Sequence, residues 1–225
     1  MNYKLKEKSL RKEILRKLFH LMEVPVLIGY TLVRNYFSER VATLLITVLF
    51  LLLLEIEYVR LEYHPKLPAM FDVFRQREKN NIVGSIFFVA ATIIVFAAFD
   101  YPIAVTAMLL TVFGDLAAAL VGIKFGRYLL YKRKTLEGTL AGFGMNCLVG
   151  YLCLPAYPVI FLSMAVVASL VELLTGKLDD NLTVPLFSAF TGQMIVYLIH
   201  APLTTFPGPV VGTILSLFAK LFAPA

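Results

Sequence analysis

Long apolar segments follow one another along most of this chain, and short polar connections separate them. A helix needs about 20 apolar residues to cross the hydrocarbon layer of a bilayer. Apolar residues make up 59% of the 225 residues, whereas charged residues make up only 16%. A soluble domain of this length has no interior large enough for so many apolar side chains, and a disordered chain is poor in them. The sequence therefore predicts an all-α, polytopic membrane helix bundle and excludes a soluble enzyme.

Eight segments have the length and the apolar character of a membrane span. Tight, proline-containing turns join two pairs of them, at Asp100–Pro102 and at Pro155–Pro158, and predict antiparallel helix hairpins. The first segment contains Glu23, Pro25 and Arg34, which interrupt its apolar run. The predicted spans are residues 21–38, 41–59, 82–99, 101–123, 138–154, 157–175, 182–200 and 205–223.

Lys and Arg residues collect in alternate connections of this layout. All of the 21 Lys and Arg residues except Arg34 and Arg40 lie in segments on one predicted side. Because cytoplasmic connections carry the excess of Lys and Arg in membrane proteins, this side is predicted to be cytoplasmic. With eight spans, both termini lie on that side as well.

The basic N-terminal segment, residues 1–20, has an apolar residue at every third or fourth position of its second half. This pattern is typical of an amphipathic helix that lies on an anionic membrane surface. A simple topology signal explains the cations equally well, so both interpretations stay open. Residues 21–225 are predicted to form a single transmembrane bundle.

Asp115 is a carboxylate inside the predicted span 101–123. It comes about nine residues before Lys124, which places it about 13 Å deeper in the membrane if the helix is unbroken. A carboxylate at that depth must pair with a cation, take up a proton or bind a metal ion. The Gly and Ala residues around it let another backbone or a ligand come close. We favour a functional role over a structural ion pair or a protonated acid.

A second group of polar residues lies at the start of the next predicted helix. Three cations, Lys132–Lys134, precede Thr135, Glu137 and Gly138. Backbone N–H groups at a helix N-terminus, with Lys or Arg beside them, suit a polyphosphate. For the cations alone, a topology-setting loop followed by a Thr cap is the better interpretation.

A third group lies around the connection of the last two strong spans: Glu172 is near the end of one span, and Asp179, Asp180 and Asn181 precede the next. Consecutive acids near a membrane surface suit Mg²⁺, which prefers oxygen ligands and substrate phosphates. Helix capping explains one of the three consecutive polar residues. Further polar residues fall on the same predicted cytoplasmic half: His20, Glu23, Glu78, Asn80 and Asn81. Together these groups fit a site that receives a nucleotide from water and a lipid headgroup from the bilayer.

The sequence around Asp115 resembles a signature shared by membrane enzymes that use CTP. The residues that carry the resemblance are Gly114, Asp115, Ala118, Gly122, Gly126 and Arg127, followed by the run Lys134-Thr135-Leu136-Glu137-Gly138-Thr139. These enzymes comprise the dolichol, phytol and CTP-dependent diacylglycerol kinases and the phosphatidate cytidylyltransferases. Two further segments resemble the kinase branch in particular. They are Arg16-Lys17-Leu18-Phe19-His20, and Glu172 followed by Asp179–Pro185. Thr135 departs from the kinase pattern, in which Ser is frequent at this position.

The resemblance implies a lipid kinase that transfers the γ-phosphoryl group of CTP to a lipid alcohol such as a polyprenol, dolichol, phytol or diacylglycerol. It implies Mg²⁺ as cofactor, with the ligands Asp115, Asp179 and Asp180. The implied catalytic residues are Asp115, Asp180 and Glu172. The implied nucleotide-binding residues are Arg127, Lys134, Thr135, Glu137, Gly138 and Asn181. The implied lipid-headgroup residues are His20, Glu78 and Asn81.

Two other functions remain open from the sequence. One is a cytidylyltransferase that joins CMP to phosphatidic acid or to its archaeal ether analogue. The other is an ion-coupled transporter in which Asp115 carries a proton or cation. The protein is expected in the plasma membrane of a prokaryote or in the endoplasmic reticulum, with its site facing the cytoplasm. No nucleic-acid partner is expected, and Gly142 and Gly144 offer a packing face for a homo-oligomer.

Overall fold

The computed structural model describes residues 21, 23–63, 83–132, 134–176 and 178–203. Within these residues the chain is helical, apart from turns and one hairpin of two short antiparallel strands. The elements in chain order are α1 (Glu23–Tyr36), α2 (Glu39–Tyr63), α3 (Gly84–Ala98), α4 (Tyr101–Phe125), β1 (Leu129–Tyr131), β2 (Lys134–Thr135), α5 (Leu136–Cys153), α6 (Pro158–Leu174) and α7 (Asp180–Ile199).

The helices coincide with the first seven predicted spans, and their ends differ by no more than about four residues. The predicted helical bundle is confirmed to this extent. Three of the helices, α2, α4 and α7, are long and apolar enough to cross a membrane. The eighth predicted span, 205–223, and the basic segment, 1–20, lie outside the described residues. The sequence analysis did not predict the strand hairpin.

The helix α4 lies at the centre of the bundle. Its first half is almost entirely buried, and Ile103, Met108 and Leu110 have no exposed surface. It packs against α5, α6 and α7, and it also contacts α1 and α3. In contrast, α2 is peripheral, and Leu44 and Ile56 on its outer face are more than half exposed. An apolar outer face of this kind suits lipid, because lipid tails are as apolar as the side chains themselves.

Small residues let α4 and α5 approach each other backbone to backbone. A Cβ atom added to Gly138 would lie 2.7 Å from the carbonyl oxygen of Ala118 and 3.0 Å from the Cα atom of Gly122. Gly142, one turn further along α5, also packs against Ala118. Gly142 therefore faces α4 of the same chain, whereas an added Cβ atom at Gly144 would meet nothing within 4 Å among the described residues.

Two residues shape the start of α7. Asp179 is its N-cap, and its Oδ1 atom accepts a hydrogen bond of 3.0 Å from the backbone N–H of Asn181. Pro185 lies inside the helix and is buried. Since proline has no N–H, the carbonyl group of Asn181 receives no hydrogen bond from the helix ladder at this point.

Candidate functional site

The chain direction brings the termini of several described helices to one end of the bundle. α4 ends there and α5 begins there, with the strand hairpin between them. The end of α6 and the start of α7 lie at the same end, because the hairpin contacts the segment that joins them. We call this end of the bundle the hairpin end. The opposite end, at which α4 begins with Tyr101, is called the Tyr101 end.

The strand hairpin carries two of the predicted cations to the end of α6. Lys134 donates a hydrogen bond from Nζ to the backbone carbonyl oxygen of Glu172, and Nζ lies 3.9 Å from the Oε1 atom of the same residue. Lys132 turns the hairpin with a left-handed φ of 53°, and its Nζ atom packs against Gly176. The basic group and the third polar group of the sequence analysis therefore meet in the fold.

Thr135 caps the first turn of α5. Its Oγ1 atom accepts a hydrogen bond of 3.2 Å from the backbone N–H of Gly138, and it packs against Gly122 and Gly126 of the α4 end. The Thr cap of the simpler interpretation is thus present. The hydroxyl group still has its own hydrogen to donate, because a hydroxyl is both donor and acceptor.

Glu137 joins the first turn of α5 to the connection that precedes the hairpin. Both carboxylate oxygens accept from the backbone N–H of Tyr128 at 3.3 Å. Hydrogen bonds from its own backbone N–H, and then from those of Arg127 and Tyr128, lower the pKa of Glu137, and the Arg127 charge adds to this effect. Glu137 is therefore a carboxylate at neutral pH and holds the connection in place.

The acidic turn before α7 is packed between two other elements. Thr175, after α6, and Thr183, in α7, are linked through their hydroxyl groups at 3.3 Å. From the other side, the first residue of α3 fits against Asn181: a Cβ atom added to Gly84 would lie 2.7 Å from Nδ2. Asn181 is buried, and Asp180 is half-buried.

An ion pair that the sequence analysis missed holds the start of α3. Arg60 donates two hydrogen bonds, of 2.7 and 2.6 Å, to the carboxylate of Glu57, and both residues are buried. The same carboxylate accepts at 2.9 Å from the backbone N–H of Val83, which precedes Gly84. The sequence contained a signal for this ion pair, because an acid and an Arg lie three residues apart near the end of an apolar helix. This pair positions the wall against which Asn181 packs.

Asp115 is half-buried, and α4 is continuous from it to Lys124, so the two residues lie about 13 Å apart along the helix axis. The preceding Gly114 packs against the carboxamide of Asn146 in α5. Asn146 donates from Nδ2 to the Oγ atom of Ser169 at 3.0 Å, and Ser169 lies one helical turn before Glu172. Asn146 and Ser169 therefore form a buried polar pair, which lies one helical turn along α6 from Glu172 and packs against the residue that precedes Asp115.

Asn146 was also missed by the sequence analysis. It is only 1% exposed, and its Oδ1 atom has no hydrogen-bond partner among the described residues. An unpaired buried carbonyl is unusual, because leaving one costs about 1–3 kcal/mol. The sequence did contain a signal, namely an Asn inside an apolar span. Burying a polar side chain there costs free energy, so its presence indicates a specific role.

The described residues contain no group of three or more His, Cys, Asp or Glu side chains arranged to hold a metal ion. Among the expected ligands, Asp179 and Asp180 are consecutive, and Asp115 is on a different helix. The expected headgroup residues His20, Glu78 and Asn81 lie outside the described residues. The metal and headgroup assignments therefore stay predictions.

Two curated proteins are similar to this chain. An uncharacterized protein of Methanocaldococcus jannaschii is 31% identical over 129 residues, which cover 55% of this chain and 66% of that protein. CTP-dependent diacylglycerol kinase 1 of Schizosaccharomyces pombe is 32% identical over 135 residues, which cover 52% of this chain and 62% of that protein. The match thus spans less than two thirds of either relative. No family model and no solved structure matches the chain. Over about half of its length, the chain is a distant relative of a CTP-dependent lipid kinase.

Proposed function

We propose that this protein is a CTP-dependent lipid kinase that transfers the γ-phosphoryl group of CTP to the hydroxyl group of a membrane lipid alcohol. The observation that carries the proposal is the contact of Lys134 with Glu172, which joins a basic hairpin to an acidic turn at one end of an apolar bundle. The similarity to a CTP-dependent diacylglycerol kinase supports the same activity. Phosphoryl transfer depends on positioning and on charge neutralisation, which such an arrangement can supply.

The nucleotide is proposed to bind on the hairpin side of the site. Lys134 and Arg127 hold the triphosphate, and the Thr135 hydroxyl donates to a phosphate oxygen while it caps α5. Glu137 contributes indirectly, because a carboxylate repels phosphate but fixes the Tyr128 backbone beside Arg127. Gly138 contributes by letting α5 begin close against α4.

The acidic residues are proposed to act on the metal and on the alcohol. Mg²⁺ is usually bound through one or two carboxylates together with substrate phosphates, so Asp179 and Asp180, or Asp115, suffice with the nucleotide present. When bound, Mg²⁺ neutralises charge on the phosphates. Asp115 or Asp180 takes the proton of the attacking hydroxyl, and Glu172 and Asn181 orient the groups around it. His20, Glu78 and Asn81 are assigned to the lipid headgroup.

The depth of Asp115 supports an acceptor that enters from the bilayer. The chain is proposed to cross the membrane eight times, with both termini and the hairpin end in the cytoplasm of a prokaryote or facing the cytosol from the endoplasmic reticulum. Alternating Lys and Arg content supports this topology. Residues 21–225 are then one catalytic bundle, and 1–20 lie on the cytoplasmic surface.

A product assay tests the proposal. Purified full-length protein is incubated with Mg²⁺, with CTP labelled at either the γ- or the α-phosphorus, and with diacylglycerol, polyprenol or phytol. We expect label in the lipid from the γ-position only, with CDP as the second product. The acceptor that is labelled fastest identifies the lipid class.

Other results would contradict the kinase assignment. In a parallel incubation with phosphatidic acid or its ether analogue, transfer of α-label to the lipid with release of diphosphate would identify a cytidylyltransferase. Nucleotide-independent ion transport in sealed vesicles that Asp115→Asn abolishes would identify a transporter.

A further inference from the structure

A polar cavity lies at the Tyr101 end of the bundle. Its volume is about 190 Å³. The 25 residues of α4 separate it from the hairpin end by about 36 Å, at about 1.5 Å per residue, so the cavity is no part of the candidate kinase site. Three charged residues and four aromatic rings line it: Arg34, Glu39, Asp100, Tyr30, Phe96, Phe99 and Tyr101. We call it the Arg34 pocket.

Arg34 provides a positioned cation with a free donor. Its guanidinium group lies over the ring of Tyr101, 4.0 Å from the centroid. Its contact with Glu39 is long, at 3.5 Å, and the two side chains are 29% and 59% exposed, so this pair is weak. The Nε atom has no hydrogen-bond partner among the described residues. A planar guanidinium with an unused donor suits the oxygens of a phosphate group.

Asp100 provides a fixed anion on the same pocket. Its Oδ2 atom accepts from Nε2 of Gln193 at 2.8 Å, and its backbone N–H donates to Oε1 of the same side chain at 2.8 Å. Glu39 adds a second carboxylate to the lining. The Tyr101 ring already carries the Arg34 guanidinium, so the rings that attract a second cation are those of Tyr30, Phe96 and Phe99.

These charges constrain what the pocket accepts. A simple anion would face two carboxylates, and a simple cation would face the guanidinium group. A ligand that carries one charge of each sign satisfies both. The volume equals that of about six water molecules, which suits a small polar group rather than an acyl chain.

We propose that the Arg34 pocket binds a zwitterionic phosphodiester headgroup, with the phosphate on Arg34 and the ammonium group between Asp100 and the aromatic rings. The pocket lies at the ends of α1 and α3 and the starts of α2 and α4, where a membrane helix reaches the headgroup layer. By the charge pattern this is the leaflet opposite the kinase site. The proposal does not depend on the kinase activity.

Lipid binding to the full-length protein tests this proposal. Native mass spectrometry in detergent measures the affinity of phosphatidylethanolamine and of phosphatidylglycerol with the same short acyl chains. The two lipids share the phosphodiester, but only the first carries an ammonium group. We expect phosphatidylethanolamine to bind about tenfold more tightly or better, since a charge-assisted contact is gained. Equal affinities would overturn the proposal.

Three variants locate the binding. Arg34→Gln should reduce the affinity for both lipids, whereas Asp100→Asn should remove only the preference for phosphatidylethanolamine. Asp100→Asn is isosteric and keeps an oxygen that accepts from Gln193, so this variant is expected to fold. It therefore tests the headgroup assignment even if Arg34→Gln fails to fold. Arg40→Gln, on the same predicted side but outside the pocket, is the matched control and should bind as the parent does. Unchanged preference in Asp100→Asn, or an equal loss in Arg40→Gln, would overturn the assignment.

Free glycerophosphoethanolamine, a water-soluble phosphodiester, distinguishes the source of the ligand. Competition by this soluble compound at concentrations similar to those of the lipid supports recognition of the headgroup alone. If inorganic phosphate competes as strongly as this soluble compound does, the pocket is a simple anion site, and the proposal is contradicted.

Discussion

Lys134 connects two parts of the candidate site that lie 38 residues apart in the chain. Its side chain leaves the strand hairpin and ends at the last turn of α6, where it meets both the carbonyl and the carboxylate of Glu172. A lysine there has two functions in the proposed kinase, because it ties the hairpin to α6 and offers charge to a phosphate.

Replacing Lys134 by Gln should lower lipid phosphorylation by about tenfold or more and should raise the KM for CTP, because a charged contact to the nucleotide is lost. The measurement is the rate of lipid labelling at varied CTP concentration. Lys124→Gln is the control, since Lys124 is an exposed cation in the last turn of α4. A KM that rises equally in both variants would contradict the assignment of Lys134.

The hydroxyl group of Thr135 should contribute to the stability of the protein, because it caps α5. Thr135→Val keeps the shape but loses the cap to Gly138, so the free energy of unfolding should fall by about 1 kcal/mol. Thr135→Ser keeps the hydroxyl and should be close to the parent. Thermal unfolding in detergent measures both. Equal stability of the Val and Ser variants would show that the cap contributes nothing.

The carboxylate of Glu137 should make stability depend on pH. Its pKa is lowered in the folded state, so its contribution is present above the unfolded pKa, about 4.3, and is lost as pH falls through the lower folded value. The difference in melting temperature between the parent and Glu137→Gln should therefore shrink as pH is reduced from about 6 to about 3.5. A constant difference over this range would contradict the titration.

At the scale of the elements, the contact between α4 and α5 depends on the absence of side chains. Gly138→Ala should destabilise the protein, because its Cβ atom would meet the backbone of Ala118 and Gly122, which cannot yield as a flexible side chain can. Gly144→Ala is the matched control on the same helix. Nothing described lies within 4 Å of its added Cβ atom, so a gain of up to about 1 kcal/mol in helix propensity is expected. Thermal unfolding of the two variants should give changes of opposite sign.

The helices could be predicted from the sequence, because all but the first are apolar runs with a clear polar or proline boundary. The meeting of the basic hairpin with the acidic turn also followed in outline, since alternate helix directions bring those connections to one end. The strand hairpin did not, because Leu129–Tyr131 is too short and too exposed to give a periodic pattern. The Asn146–Ser169 bond and the support of Val83 by Glu57 join distant parts of the chain, and no local pattern specifies such pairs.

At the scale of the whole molecule, the distribution of charge predicts which ends of the bundle face which compartment. A cysteine placed at Lys132 should react with a membrane-impermeant maleimide only from the cytoplasmic side, and one at Arg40 only from the other side. Both positions are exposed, and a background with Cys147→Ser removes the partly accessible native thiol. Labelling of intact cells or oriented vesicles measures the difference. Reaction of both positions from one side would contradict the eight-span topology.

Pro185 has a mechanical consequence for the acidic turn. Because Pro185 has no N–H, one backbone hydrogen bond is missing between the first turn of α7 and the remainder of that helix. The turn with Asp179 and Asn181 is therefore a separate unit of local opening, able to tilt while the rest of α7 stays packed. Amide hydrogens of residues 181–184 should exchange sooner than those of 188–196, and bound nucleotide should slow the first set selectively. In the proposed kinase, we expect this acidic turn to close over bound nucleotide while the rest of α7 keeps its packing.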